Sequence, residues 1–261
     1  MLRRFYRLYQ EAHVPFFAAA LAYYALFSLM PLLFLLVGLF GLLLSGNPLL
    51  RAQVFQALTE FTLALFPARP EMAQSLLDSL TQGAFPLTLG SGLLLLWSGS
   101  NFFAALSYAL GLIFGRPPGL RHRVLGLLMP FLLGLGLILL SLVGLFLGFL
   151  LRFLPSGWRG LWGPVEGLLP LLAAFLLFLF TYAFFRGVGS LRDLLPLSAG
   201  AGAATLLFEA VRLGLPRLLP RSQYELLYGP LAGFVLVLLG LYLLLWAFLL
   251  GALLARAVEE A

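Results

Sequence analysis

The sequence predicts an all-α integral membrane protein with six transmembrane helices and amphipathic helices in the first outer loop. Three observations predict it. Of 261 residues, 62% are hydrophobic and 10% charged, with a mean hydropathy of +1.05. A soluble domain of this length needs far more polar surface to cover its core. The apolar residues fall into six runs, each about as long as the roughly 20 residues a spanning helix requires. The arginines cluster in the short connections, as expected beside anionic lipid headgroups.

The first span is read over 14–44. It follows a basic start, "MLRRFYRLYQEAH", and is too long for a signal-peptide core, so it reads as an uncleaved helix. Pro31 lies inside it and is expected to kink it. In 45–84, Leu50, Val54, Leu58, Phe61 and Leu65 recur at helical spacing, and so do Met72, Leu76 and Leu80. These read as two amphipathic helices split at "FPARPE" (66–71), lying on the membrane or capping the bundle. The remaining spans are read over 85–114, 124–151, 167–185, 194–213 and 230–254. "LPRLLPRSQYELLYGP" (215–230) reads as a second long connection shaped by three prolines. The whole chain, 1–261, is read as a single transmembrane domain.

Orientation follows from the arginines. Arg3, Arg4 and Arg7 precede the first span; Arg116, Arg121 and Arg123 fill the 2–3 loop; Arg186 and Arg192 fill the 4–5 loop; Arg256 follows the last span. Positive charge in short loops marks the cytoplasmic side and the opposite loops carry fewer arginines per residue, so both termini are expected there, although Arg217 and Arg221 fall on the wrong side. A multi-pass protein of a bacterial inner membrane is the expected setting. Cysteine is absent, which excludes disulfides and thiolate metal sites. Lysine is absent too, so a Walker A phosphate loop is excluded.

Few polar groups stand inside the spans. Glu209 and Arg212 sit at i, i+3 spacing near the end of the fifth. A charge at mid-bilayer costs roughly 2.5–3.5 kcal/mol on insertion scales, so the pair is expected to face the interior. Two readings stay open: a structural ion pair or helix-end anchor, and a site for a polar headgroup, proton or ion. Ser98, Gly99, Ser100 and Asn101 interrupt the second span as cavity wall or as interhelical glue. Tyr24, Ser28 and Pro31 share a face of the first span, with Tyr23 beside it; tyrosines there are interfacial anchors or part of the same cavity. Trp97, Trp158, Trp162 and Trp246 read as belt residues. Gly111 with Gly115, Gly144 with Gly148, and Gly229 with Gly233 have GxxxG spacing, and "SAGAGAAT" (198–205) is almost free of side chains. Both patterns signal tight helix packing, or else a moving interface. His13 and His122 are isolated, so no metal or cofactor is expected, and enzyme chemistry has little to build on.

"LAYYALFSLMPLL" (21–33), "LWSGSNFFAAL" (96–106), "TLLFEAVRLGL" (205–215), "YELLYGPLAG" (224–233) and "LLGALLA" (249–255) resemble the YihY/BrkB family of bacterial inner-membrane proteins over nearly the whole chain. The resemblance implies six spans with cytoplasmic ends and places the family pattern on Tyr23, Ser28, Pro31, Glu209, Tyr228 and Gly229. Three positions depart from it. Gly251-Ala252-Leu253 stands where the family often has Gly-Ala-Glu, Gly111 where an asparagine is common, and Arg186 where a proline is. The resemblance implies envelope lipid or lipopolysaccharide transport; the family's older ribonuclease BN label is a remote third reading, because clustered metal ligands are missing.

The expected function is therefore transport or flipping of an anionic lipid or lipopolysaccharide-type amphiphile. Its headgroup would pass Glu209, Arg212, Ser98, Asn101, Tyr24, Ser28 and Tyr228, while Pro31, Gly99, Gly229 and Gly233 serve as hinge or packing residues. Membrane lipids are the expected partners, and nucleic acid is not. The alternative is a non-transporting scaffold that docks an envelope protein through 45–84. No feature of the sequence sets the oligomeric state.

Overall fold

The computed structural model describes residues 2–43, 56, 60, 84–116, 163–187, 189–218 and 221–260. Every regular element among the described residues is helical. In chain order these are α1 (Leu2–Glu11), α2 (Val14–Leu43), α3 (Ala84–Ile113), α4 (Gly163–Arg186), a 3₁₀ turn (Leu191–Asp193), α5 (Leu194–Leu218), α6 (Arg221–Tyr228), a second 3₁₀ turn (Gly229–Leu231) and α7 (Ala232–Glu259). The expected third span, 124–151, and almost all of 45–84 lie outside the described residues, as do Gly144, Gly148, Trp158, Trp162 and His122.

Among the described residues three helices are long and apolar enough to cross a membrane: Gly92–Ile113 within α3, Leu194–Leu218 and Ala232–Glu259. A fourth is added if Phe5–Glu11 and Val14–Leu29 form one bent span, and Pro170–Arg186 in α4 is a shorter apolar helix. The protein is thus a helical membrane protein with three to four candidate spans in this set.

One expectation about breaks is corrected. A bend of 50° between axes lies at the α1–α2 junction, and Pro31, expected as a kink, stands inside α2. The junction is made by His13, whose φ is +47°, with its N–H donating to Gln10 O at 3.1 Å. The connection 215–230 is largely helical. Pro216 fits inside the end of α5, where only one turn follows and little bonding is lost, and α6 occupies Arg221–Tyr228. Gly229 then takes φ +54°, a left-handed conformation that favours glycine, to turn the chain into α7.

The chain forms two compact units, and α2, α3, α5 and α7 each run through both. The first gathers Met1–Ala18, Phe103–Ala210 and Leu244–Ala261. Its buried residues include Val14, Leu110, Ile113, Tyr182, Leu197, Leu249 and Leu253. The aromatic rings of α4, α5 and α7 interlock there. Phe178 lies 5.7 Å from Phe208 and 5.3 Å from Phe248, and Tyr182 lies 5.1 Å from Phe248. The Tyr182 hydroxyl donates to Phe248 O at 2.5 Å, so a buried polar group is satisfied across the seam.

The glycine-rich stretch supplies the closest approach. Gly200, Ala201 and Ala204 are buried, and a Cβ built on Gly200 would lie 2.6 Å from Ala255 Cβ and nearer still to Gly251 O. A Cβ on Gly251 would meet Ala204 Cβ at 2.5 Å and the Tyr182 hydroxyl at 2.8 Å. The small residues let α5 and α7 touch backbone to backbone, which is how helices associate where lipid removes the hydrophobic drive.

The second unit comprises Ala19–Phe102 and Val211–Leu243. Leu21, Ala22, Leu26, Ser98 and Ala232 are buried in it. Tyr23 stacks on Phe27, and Phe27 meets Trp97 of α3 at 6.1 Å. Trp97 is exposed, in keeping with a lipid-facing ring.

Candidate functional site

One end of the first unit carries its charge. The α3 terminus is closed by backbone geometry: Gly115 has φ +66°, Arg116 N–H donates to Gly111 O at 2.7 Å and Gly115 N–H to Leu112 O at 3.2 Å. These are the two bonds of a Schellman cap. Gly111 and Gly115 therefore serve a helix end, because a Cβ on Gly111 would meet Arg116 O at 2.7 Å. Arg256 Nη1 from α7 donates to Ile113 O, which the cap leaves over, at 2.6 Å, and shares Leu112 O with the Gly115 N–H at 3.2 Å. A cation there also complements the negative end of the helix dipole.

α4 ends in the same region. Gly187 has φ +72° and donates to Ala183 O, the simpler left-handed cap. Arg186 grips Glu259 of α7 through two nitrogens, Nε to Oε2 at 2.9 Å and Nη2 to Oε1, and its Nη1 lies 3.2 Å from Asp193 Oδ2. Asp193 also accepts from the N–H groups of Gly189 and Ser190 at 3.0 and 2.9 Å. The Arg186 guanidinium, followed by those two N–H groups, holds the Asp193 carboxyl down at about 2. The ends of α3, α4 and α7 and the start of α5 are thereby riveted together, and three of the arginines that set the expected orientation, Arg116, Arg186 and Arg256, lie at this end.

The hydroxyls expected to line a polar interior are occupied by their own helices. Ser28 donates to Tyr24 O at 2.7 Å, Ser98 to Leu95 O at 3.4 Å and Ser100 to Trp97 O at 2.8 Å; Thr205, for which no such role was expected, donates to Ala201 O at 2.8 Å. Such back-bonding is how a serine tolerates an apolar setting. Tyr24 is half-buried beside Tyr23, Asn101 is half-buried, and Pro31 is buried. Gly99 faces open space, and Gly233 is buried. Tyr228 is exposed and stacks on Tyr224 at 5.9 Å. Trp246, expected in an interfacial belt, donates its ring N–H to the Tyr9 hydroxyl of α1 at 3.2 Å.

A cavity among the described residues of the first unit is apolar. It lies between α4 and α5, has a volume of about 520 Å³, and is lined by Leu168, Leu171, Leu172, Phe175, Gly202, Thr205 and Leu206. Leu168, Leu172 and Leu206 are 58%, 51% and 72% exposed, so the cavity is a groove open along its side. At about 1.5 Å per residue, its α4 wall runs from about 16 to about 27 Å beyond Arg186, and its α5 wall from about 12 to about 18 Å beyond Leu194. Against a hydrocarbon core of about 30 Å, the α4 wall lies beyond the middle as counted from the charged end, and the α5 wall straddles it.

Glu209 continues this groove. With 100° per residue, Thr205 and Leu206 lie 60° to one side and 40° to the other of Gly202, and Glu209 falls between them, one turn on. It is half-buried; Arg212, a further turn along α5, is exposed. Neither is without an interacting partner. About 22 Å from Leu194, Glu209 approaches the far boundary of the hydrocarbon, where a charge is less costly than at mid-bilayer. The groove residues carried no polar signal in the sequence. Gly200 and Gly202 read alike there, yet they sit 200° apart on α5, one in the α7 seam and the other in the groove.

Compared with known proteins, the chain matches the family model for Virulence factor BrkB over residues 5–261. No curated protein and no solved structure matches it.

Proposed function

The chain belongs to the BrkB family, a family of membrane proteins, and on that premise we propose that it moves an anionic lipid or lipopolysaccharide-type amphiphile between leaflets of the bacterial inner membrane, with both termini cytoplasmic and without covalent chemistry. The observation that carries this reading is the side-open apolar groove between α4 and α5, continued along the same face of α5 by Glu209. An acyl chain fits such a groove, since ligand sites span roughly 300–1,000 Å³. A headgroup would then stand at the level of Glu209, with Arg212 a turn beyond to meet a phosphate.

Lipid tails are as apolar as leucine, so moving a chain from bilayer to groove gains nothing from the hydrophobic effect. Shape sets the tail's fit, and polar contacts set which lipid is held. The test is a scrambling assay with the purified chain in vesicles that contain acyl-labelled lipids. Lipid exchange well above that of protein-free vesicles is expected. Exchange no faster than in protein-free vesicles, from protein shown to be inserted and folded, would refute the reading.

A further inference from the structure

We infer that the charged end of the first unit holds the phosphate of a net anionic phospholipid, of the glycerol type, on the Arg116 guanidinium. The inference deepens the transport reading by naming where the headgroup is held in the leaflet this end faces. It rests on that reading only for the claim that the held lipid is then moved.

The carboxylates described at this end are already taken. Asp193 is held by Arg186 and two backbone N–H groups, Glu259 by Arg186, and Glu260 by Arg256 Nε at 2.8 Å. Arg116 and Arg192 are exposed and have no carboxylate partner among the described residues. Both border one turn. Arg186 Nη1 reaches Gly187 O at 3.5 Å and Asp193 Oδ2 at 3.2 Å, so 187–193 closes on itself, with Arg192 inside it and Arg116 against its first residue.

Glycine gives Arg116 its seat. A Cβ built on Gly187 would lie 2.7 Å from Arg116 Nη1 and 3.5 Å from its Cζ and Nη2, so the guanidinium rests on backbone that a side chain would cover. Ordering so long a side chain costs entropy, and no acceptor among the described residues takes its N–H donors. Two guanidiniums thus meet at Gly187, and only that of Arg186 is compensated. An anion on Arg116 supplies the missing charge.

Depth and charge select the anion. Arg116 lies just past Ile113, where the Gly92–Ile113 span ends, at the level of lipid phosphates outside the hydrocarbon. A guanidinium fork matches two phosphate oxygens. Choline and glycerol phospholipids share that phosphate, but the choline ammonium would add a cation beside the uncompensated Arg192, so the net anionic headgroup is favoured.

The experiment uses the full chain, purified from vesicles holding equal amounts of glycerol and choline phospholipids with the same acyl chains, with retained lipid measured by mass spectrometry. Glycerol lipid should be retained roughly tenfold over choline lipid, the scale of one charge-assisted hydrogen bond. Arg116→Gln should bring the two to parity, and Arg116→Lys, which keeps the charge without the fork, should fall between. Arg217→Gln, at an exposed arginine near the other end of α5, should leave the preference unchanged. Equal retention by the wild-type chain overturns the inference without recourse to any variant. An equal loss from Arg116→Gln and Arg217→Gln also overturns it, by showing general surface charge. So does Arg116→Gln that lowers the melting temperature and leaves the preference intact, since Arg116 then only steadies the end of α4. The retained lipid should survive a wash in excess inorganic phosphate; its displacement would assign the site to free phosphate and sink the lipid. Acyl-labelled versions of both lipids in the scrambling assay separate the two claims. Selective retention without movement sinks transport and leaves the site standing. Movement without any preference in retention does the reverse.

Discussion

Gly200 and Gly202 allow the packing of α5 to be tested with one substitution made twice. Replacing either glycine by alanine in a helix gains about 0.8–1 kcal/mol of intrinsic propensity. At Gly202 nothing opposes that gain, because the new methyl meets nothing within 4 Å. At Gly200 the methyl would stand 2.6 Å from Ala255 Cβ, 3.0 Å from Ala255 N and closer to Gly251 O. Two of those neighbours are backbone atoms of α7 and cannot rotate away. Overpacking of this kind costs about 1–3 kcal/mol. The propensity term is common to both variants, so their difference isolates the packing cost. At about 2–4 °C per kcal/mol for a chain of this size, the two melting temperatures should differ by roughly 2–12 °C, Gly202→Ala at or above wild type and Gly200→Ala below it. Tryptophan fluorescence during thermal unfolding in detergent reads this directly. Equal melting temperatures, or a less stable Gly202→Ala, would falsify the assignment of the two faces.

The α1–α2 junction should tolerate, and gain from, glycine. His13 sits at φ +47°, which costs an L-residue roughly 1–2 kcal/mol, so His13→Gly should stabilise by about 0.5–1 kcal/mol after the loss of chain stiffness; a lower melting temperature would contradict the strained turn. Asp193 titrates at about 2, below its ordinary 3.8, because Arg186 and two N–H groups hold the charged form. Its folded pKa is depressed, so its contribution is fully present above about 4 and is lost as pH falls through about 2. The melting-temperature gap between wild type and Asp193→Asn should therefore be constant from pH 7 to pH 5 and close toward pH 2; a gap independent of pH would count against the contact. Gln74→Cys, in this cysteine-free chain, should react with impermeant maleimide added from the periplasmic side; reaction only after the inner face is opened would reverse the proposed orientation.

Most of the helix bounds were legible because hydrocarbon imposes a length. The expected 14–44, 85–114 and 194–213 meet helices at Val14–Leu43, Ala84–Ile113 and Leu194–Leu218. The misreading falls in 215–230, where Pro216 sits inside a helix and not in a connection. The bend at His13 carries no sequence signal, because histidine has no reputation as a helix breaker. The groove was illegible for a different reason. A leucine that faces a cavity and a leucine that faces lipid have the same neighbours in sequence, and Leu168, Leu171 and Leu172 carry no periodicity that separates them. Glu209 was singled out as a charge in an apolar run, but its place at the end of an acyl-sized groove depends on the rotation of α5 against α4, which only the fold supplies.

The three departures from the family pattern have local physical causes in this chain. Arg186, where a proline is common, closes α4 with Gly187 behind it and ties its end to Glu259 and Asp193; a proline there could supply neither bond. Gly111, where an asparagine is common, lies under the Arg116 carbonyl in a space of 2.7 Å, so an asparagine would force the α3 cap to open and would displace the carbonyls that Arg256 holds. Leu253, where a glutamate is common, is fully buried beside Ala252 in the core of the first unit, and an ionised side chain at that depth would need a partner of its own. The first two changes strengthen the charged end, and the third removes a carboxylate from its interior.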